Sequence, residues 1–293
     1  MSSIKPQTSI PAPSTSLATV IAAALVVAGC AAPEQSGDSG GEADAATDAP
    51  AATATSAAPT DASALAALLA DGQAVFGTFS GPTTREQGAL MGQNRELDFV
   101  FYSLESGPFD ITTTELYMAG VAEGSGAEAP HPMILRVPPI RNGEDAARAN
   151  VATALDAGVA AIVFPHVESS ADAAVAVSAM GAELWPDNPS GSLLSILIIE
   201  DRSGVGRADE IVATPGVSVV FAGPGDLRRS YEGDMEAVEA AIQTVLAACQ
   251  AHGVPCGITA GVDDIAERIG QGFRVFIVND AAAVSAGRAA AGR

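Results

Sequence analysis

Positive charge is scarce in this chain. Its 293 residues carry 14 Lys and Arg against 35 Asp and Glu, a net charge of −21. Such a field repels nucleic acid and anionic surfaces. No cluster of basic residues interleaved with aromatics offsets it, so nucleic acid is not an expected partner. Long apolar runs are also missing. The early run from Leu17 to Ala28 is too short, and too flanked by small residues, for a spanning helix. No glycine-rich nucleotide fingerprint appears, which argues against a dinucleotide-binding sheet. There are only 3 cysteines. Cys249 and Cys256 lie in apolar stretches and are expected as buried free thiols, although an exported protein could pair them.

What is present falls into three parts. Residues 1–30 read as an export signal: an apolar run ending Val27-Ala28-Gly29-Cys30. This resembles a bacterial lipoprotein signal, with Cys30 as the lipid-modified residue that anchors the exported protein to a membrane. Residues 31–62 are Ala, Thr, Ser, Pro, Gly and acidic residues, with almost no large apolar side chain. Such a segment cannot bury enough surface to offset its ordering entropy and is expected as a disordered tether. Residues 63–293, with 48% hydrophobic residues over the whole chain, supply enough apolar surface for one sizeable core.

Within that last part short apolar runs alternate with helical stretches. Strands are expected at Ala74–Phe79, Phe99–Leu104, Met133–Val137, Ala160–Phe164, Leu193–Ile199, Val217–Ala222, Cys256–Thr259 and Arg274–Val278. They are β-branched and apolar on both faces, as parallel strands are. Eight strand–helix units favour a closed (β/α)8 TIM barrel over an open doubly wound sheet.

In such a barrel, chemistry collects at the carboxyl ends of the strands. Glu200 stands where Leu193–Ile199 stops, and Asp226 follows the next strand through Gly223-Pro-Gly. Two carboxylates from neighbouring strand ends suit a hard divalent cation with open positions. Arg136, at the end of the third strand, is placed to stabilise an oxyanion. Taken singly, each acid also reads as a helix cap and Arg136 as an ion-pair partner. Taken together, they favour a site.

The resemblance is specific at this point. The chain is similar to the HpcH/HpaI aldolases, the class II 4-hydroxy-2-oxo acid aldolases, over about residues 72–280. Gly77-Thr-Phe, Leu104-Glu-Ser-Gly-Pro-Phe109, Leu135-Arg-Val-Pro138, Pro165-His-Val, Ile199-Glu200 and, above all, Phe221-Ala-Gly-Pro-Gly-Asp-Leu227 carry it. The resemblance implies a barrel of the phosphoenolpyruvate/pyruvate-binding type that makes or breaks a carbon–carbon bond through a pyruvate enolate. It implies Glu200 and Asp226 as ligands of Mg2+, Mn2+ or Co2+, and Arg136 on the keto oxygen. The N–H groups of Gly225 and Asp226 would hold the 2-oxo acid carboxylate, in a trimer or hexamer.

The family's base is a His directly after the strand-two Glu, supported by an Asp three residues earlier. Those positions are Ser106 and Ser103 here. A hydroxyl is not basic enough to replace imidazole, and a placed base is worth roughly 10²–10⁴ in rate. His166 is a candidate replacement, against the plainer reading of a hydrogen-bonded strand-end histidine. His131 is expected to face solvent, and His252 to sit at a helix C-terminus, where its partial charge suits the dipole. Glu105 is a candidate acid–base group or a support for metal-bound water. The connection Gly181–Gly191, which holds Trp185, is shorter than the family's. Two functions follow: a metal-dependent lyase on a 2-oxo acid, or a non-catalytic barrel lipoprotein that binds a small carboxylate through the metal.

Overall fold

Apolar residues on both faces of a short strand can be buried only if helices cover one face and other strands the other. The computed structural model, which describes residues 60–293, shows how this chain does so. Helix α1 (Ser63–Ala70) leads into β1 (Val75–Phe79), α2 (Arg85–Gln93), β2 (Phe99–Ser103), α3 (Ile111–Ser125) and β3 (Met133–Arg136). A 3-10 turn (Ile140–Asn142) precedes α4 (Glu144–Asp156), β4 (Ala161–Phe164), α5 (Ser170–Met180), β5 (Leu184–Trp185) and β6 (Leu193–Ile199). The chain continues through α6 (Arg202–Val205), α7 (Ala208–Val212), β7 (Val219–Ala222), α8 (Pro224–Ser230) and α9 (Met235–His252). It finishes with β8 (Cys256–Thr259), α10 (Ile265–Gln271), β9 (Val275–Val278) and α11 (Ala281–Ala291).

All pairings are parallel. β4-β3-β2-β1-β9-β8-β7-β6 closes on itself through β4–β6, giving a barrel of eight strands with helices between them. The short β5 adds to the amino end of β6. This is the expected (β/α)8 barrel.

Two hydrophobic clusters divide the strand residues by parity. Phe99, Phe101, Ile134, Ile196, Ile198 and Phe221 belong to the inner one. Val100, Tyr102, Leu135, Leu197 and Val220 belong to the outer one, under the helices. At the amino end, Leu65 and Leu69 of α1 close the barrel over Val75, Ile134 and Val219, leaving a void of only about 10 Å³. That is too small for a solute. Thr60 and Ala62, placed in the tether by composition, are bonded to this floor. The Thr60 hydroxyl donates to the Gly158 carbonyl (2.9 Å), and the Ala62 N–H to Ser192 (3.0 Å).

Helices α2 and α3 touch backbone to backbone. A Cβ built on Gly120 would lie 2.0 Å from the Arg85 carbonyl oxygen, and one on Gly124 1.9 Å from that of Ala89. The same holds in reverse for Gly88 and Gly92. This contact packs the helix after β1 against the helix after β2, and Tyr117 of α3 donates to the Ser80 carbonyl at the end of β1 (2.8 Å).

Several local expectations change. His131 is buried, not solvent-facing: it is 4% exposed, with Nε2 3.0 Å from the Asn94 carbonyl. The chain before β3 folds back against the end of α2, a tertiary contact that a Pro-rich stretch does not announce. Between β6 and β7 the sequence leads to a helix near Gly206–Ala213, which is α7, and the short α6 precedes it as an unanticipated turn. The Gly223-Pro-Gly-Asp turn is the start of a helix, α8, because proline suits the first helical position. His252 is the last residue of α9, as expected, with Nε2 2.8 Å from Asp209. Cys249 and Cys256 are both free and buried. No helix among the described residues is long and apolar enough to cross a membrane. Residues 1–59, including Cys30 and most of the tether, lie outside the described part.

Candidate active site

Strand side chains alternate, so the inward parity can be followed past each strand's end. Beyond Phe101 it reaches Ser103; beyond Ile134, Arg136; beyond Ile198, Glu200; beyond Phe221, Gly223; beyond Gly257, Thr259; beyond Ile277, Asn279. The floor is packed and this mouth is open. It holds a cavity of about 320 Å³, with Arg136, Glu200, Gly225, Asp226, Thr259 and Asn279 on its polar wall. Phe79, Phe101, Ile198, Phe221 and Ile277 form the apolar wall.

Glu200 is the deepest charged group, 2% exposed. Its Oε1 accepts from the His166 backbone N–H at 3.0 Å. Its Oε2 lies against Gly223, where an added Cβ would approach to 2.6 Å. Burial, then the Asp226 charge, push its pKa up to about 8, with Glu105 adding to the rise. The His166 N–H and Arg136 pull the other way and do not win. Three carboxylates thus converge on a dry site with too little positive charge.

Arg136 cannot neutralise them alone. Its Nη2 is 2.9 Å from Glu105 Oε2, its Nε donates to the Ser103 hydroxyl at 3.0 Å, and its guanidinium lies over the Phe101 ring, 5.4 Å from the centroid. Ser103, which stands where the resemblance expects an Asp, serves to orient Arg136. Ser106 is exposed beyond it.

His166 follows β4 with φ 53°, a left-handed backbone rare for a residue with a Cβ. That conformation aims its N–H at Glu200 while the ring reaches Asp201. Nδ1 is 2.8 Å from Asp201 Oδ2, and Nε2 is 3.6 Å from Glu105 Oε1. Asp201 also lies 3.5 Å from Arg141, which binds Glu168 at 2.9 Å.

Among the described residues, Glu105, His166 and Glu200 form one group whose ligand atoms lie within 4.8 Å of one another. Asp226, in the first turn of α8, lines the same cavity and pairs with Arg229 one turn on. The oxygen-rich, charge-deficient donor set fits a hard divalent cation. Glu200 is common to both this group and the sequence-based pair with Asp226. The N–H groups of Gly225 and Asp226 have no backbone partner within α8, as expected of a first turn.

The structure therefore gathers Glu105, Arg136, His166, Glu200, Gly225 and Asp226 at one mouth. Sequence reasoning missed Asp201, Thr259, Asn279 and Phe79 as neighbours. Asp201 was adjacent to Glu200 and readable as a possible histidine partner. The other three needed the inward parity of strands whose two faces are equally apolar.

Comparison with known proteins agrees with this geometry. The HpcH/HpaI aldolase/citrate lyase family profile matches residues 118–277. The chain is 31% identical over 238 residues to a 5-keto-4-deoxy-D-glucarate aldolase of Salmonella gallinarum, covering 72% of this chain and 87% of that one. An HpcH/HpaI family protein from Burkholderia cenocepacia superposes with a TM-score of 0.64 at 24% identity, over 75% of this chain and 94% of that one. Macrophomate synthase gives 0.62 at 26% identity, over 80% and 88%. A citrate lyase beta subunit from M. tuberculosis, solved with oxaloacetate and magnesium, shares the fold with a TM-score of 0.54 at 20% identity, over 75% and 97%. With its barrel, strand-end acids and matched sequence taken together, the chain belongs to the HpcH/HpaI aldolase/citrate lyase family.

Proposed function

We propose that this protein is a divalent-metal-dependent carbon–carbon lyase acting on a 2-oxo acid. The observation that carries the reading is Glu200: a carboxylate at the barrel mouth held toward neutrality by its burial and then by two neighbouring acids. A group so costly to ionise at a strand end marks a site built for a cation. Glu200 and Asp226 would hold Mg2+ or Mn2+, with Glu105 and His166 close enough to support them. Bound there, the cation supplies Lewis-acid polarisation of the substrate's 2-oxo group. Relatives named as aldolases support the same class of reaction.

The chain's own residues do the remaining work. Arg136, locked by Ser103, Glu105 and Phe101, presents a preorganised cation to the oxygen on which charge develops. The N–H groups of Gly225 and Asp226 take the substrate carboxylate. The His166 ring, oriented by Asp201, is the imidazole closest to the site and the proposed proton carrier in place of Ser106. Its deviant backbone is the kind of strain that persists at functional positions.

The test uses the full-length chain with Mn2+ and pyruvate in deuterated buffer, following loss of methyl protons by NMR. Metal-dependent exchange is expected, reduced at least about a hundredfold in His166→Ala if that ring carries the proton. An unchanged His166→Ala rate removes the histidine from the mechanism. One observation favours a second reading: Ser103 is engaged with Arg136 and Ser106 is exposed, so neither reproduces the family's base. Pyruvate binding that needs metal but gives no exchange would make the protein a carboxylate-binding barrel instead.

The Cys30 motif and the polar segment after it support export and lipid anchoring of this barrel at a bacterial membrane. Cys30→Ser is expected to move the protein from the membrane to the soluble fraction. Retention at the membrane would refute the anchor.

A further inference from the structure

The cavity at the barrel mouth has an apolar as well as a polar lining. Its volume, about 320 Å³, exceeds what a three-carbon acid fills. Besides its polar groups it is lined by Phe79, Phe101, Phe221, Ile198 and Ile277, of which Phe79 alone is substantially exposed. Aromatic residues are only 4% of the chain, yet three of its 9 phenylalanines meet here. Phe79 is 36% exposed, the only aromatic among the five large apolar side chains left exposed in the described residues. It packs edge-to-face with Phe101, with ring centroids 5.2 Å apart and planes at 81°.

Charge points the same way. Arg136 is the one cationic residue lining the cavity, and Glu105 already pairs with it. Arg228 and Arg229 lie in a neighbouring open depression with Glu232, and Arg229 pairs with Asp226. A second carboxylate on the substrate would meet phenyl rings rather than a guanidinium. A polyhydroxylated chain would find only Thr259 and Asn279 as neutral side-chain partners, leaving hydroxyls unpaired against apolar surface.

We infer that the second reactant is an uncharged aldehyde with an apolar, preferably aromatic, substituent, seated against the exposed ring of Phe79. The inference rests on the lyase reading for its chemistry and on the cavity wall for its selectivity. In the bond-forming direction, C3 of the 2-oxo acid loses a proton and bonds to the aldehyde carbon. The carbonyl π pair moves to the aldehyde oxygen, which takes up a proton. The 4-hydroxy-2-oxo acid product is the sum of the two reactants, and cleavage is the reverse.

The experiment measures binding, so that it does not depend on turnover. Full-length protein with Mn2+ is titrated calorimetrically with 4-phenyl-2-oxobutanoate and with 2-oxoglutarate, which share the 2-oxo acid end and differ in the distal group. The phenyl compound is expected to bind at least about tenfold more tightly, since a phenyl group buries far more apolar area than one methylene does. Phe79→Ser is expected to collapse that preference, and Phe79→Leu to restore part of it. Equal or tighter binding of 2-oxoglutarate overturns the inference, as does a preference unmoved in Phe79→Ser. Failure of both ligands to bind overturns it together with the lyase reading. A phenyl preference without pyruvate exchange overturns the lyase reading and with it the aldehyde role, and leaves only the preference of the pocket for an apolar group.

Discussion

Glu200→Ala is expected to abolish metal-dependent proton exchange of pyruvate, by well over a hundredfold. Groups that merely support metal ligands typically contribute about 10–100-fold, and Glu200 is the deepest acid of the site. The same variant should lose Mn2+ binding by calorimetry. A fully active Glu200→Ala would sink the metal assignment. Gly223→Ala should imitate it in part, because the new Cβ would press within 2.6 Å of Glu200 Oε2 and displace that carboxylate.

The same carboxylate sets a pH dependence. Burial and its acidic neighbours raise its pKa from an ordinary 4.5 to about 8. Between those values the native, metal-free protein keeps a proton that the unfolded chain has released. The native state therefore binds more protons, and stability falls as pH rises through this window. Glu200→Gln, which cannot ionise, should flatten that fall in urea unfolding of metal-free protein at pH 5 and pH 8. Saturating Mn2+ should offset the fall in the unsubstituted protein, because the cation binds the ionised form. An identical pH slope in Glu200→Gln would show that the site carries no such strain.

Gly124→Ala is expected to be the most destabilising single methyl addition in the described chain. Its Cβ would lie 1.9 Å from the Ala89 carbonyl oxygen, an atom of helix backbone that cannot swing aside. Overpacking a core typically costs about 1–3 kcal/mol and occasionally more; backbone-to-backbone conflict puts this case at roughly 3 kcal/mol or above. A domain of this size should then lose on the order of 10 °C in Tm. Ala at a solvent-facing helix glycine would do the opposite, by lowering unfolded-state entropy. A Gly124→Ala protein with unchanged Tm would mean that α2 and α3 separate without consequence. Because Tyr117 of α3 binds the Ser80 carbonyl next to Phe79, their separation should also disturb Phe79 at the cavity.

Much of this was legible in the chain itself. The strand at Leu193–Ile199 was readable to the residue, because seven residues, all apolar but Ser195, end at an acid. Its partner Asp226 was readable through Gly223-Pro-Gly, although its place in the first turn of α8 was not. Arg136 stood out as a charge near the carboxyl end of an apolar strand. The helix α1 was not legible: Ser63–Ala70 is alanine-rich and short, and only the barrel floor gives its leucines something to cover. The burial of His131 was equally hidden, since nothing local distinguishes a loop that folds inward from one that faces water.

By itself the sequence determined the alternation of strand and helix, and with it the barrel and the strand ends where acids gather. Those follow from local periodicity and from the cost of burying charge. The tertiary structure decided which of two equally apolar faces of each strand looks inward. That choice, set by strand register and ring closure, put Phe79, Phe101, Phe221 and Glu200 around one cavity. It also brought Asp201 and Glu105 to His166, and gave Ser103 to Arg136. Pairings across strands far apart in the chain depend on closure of the whole ring, which no local window contains.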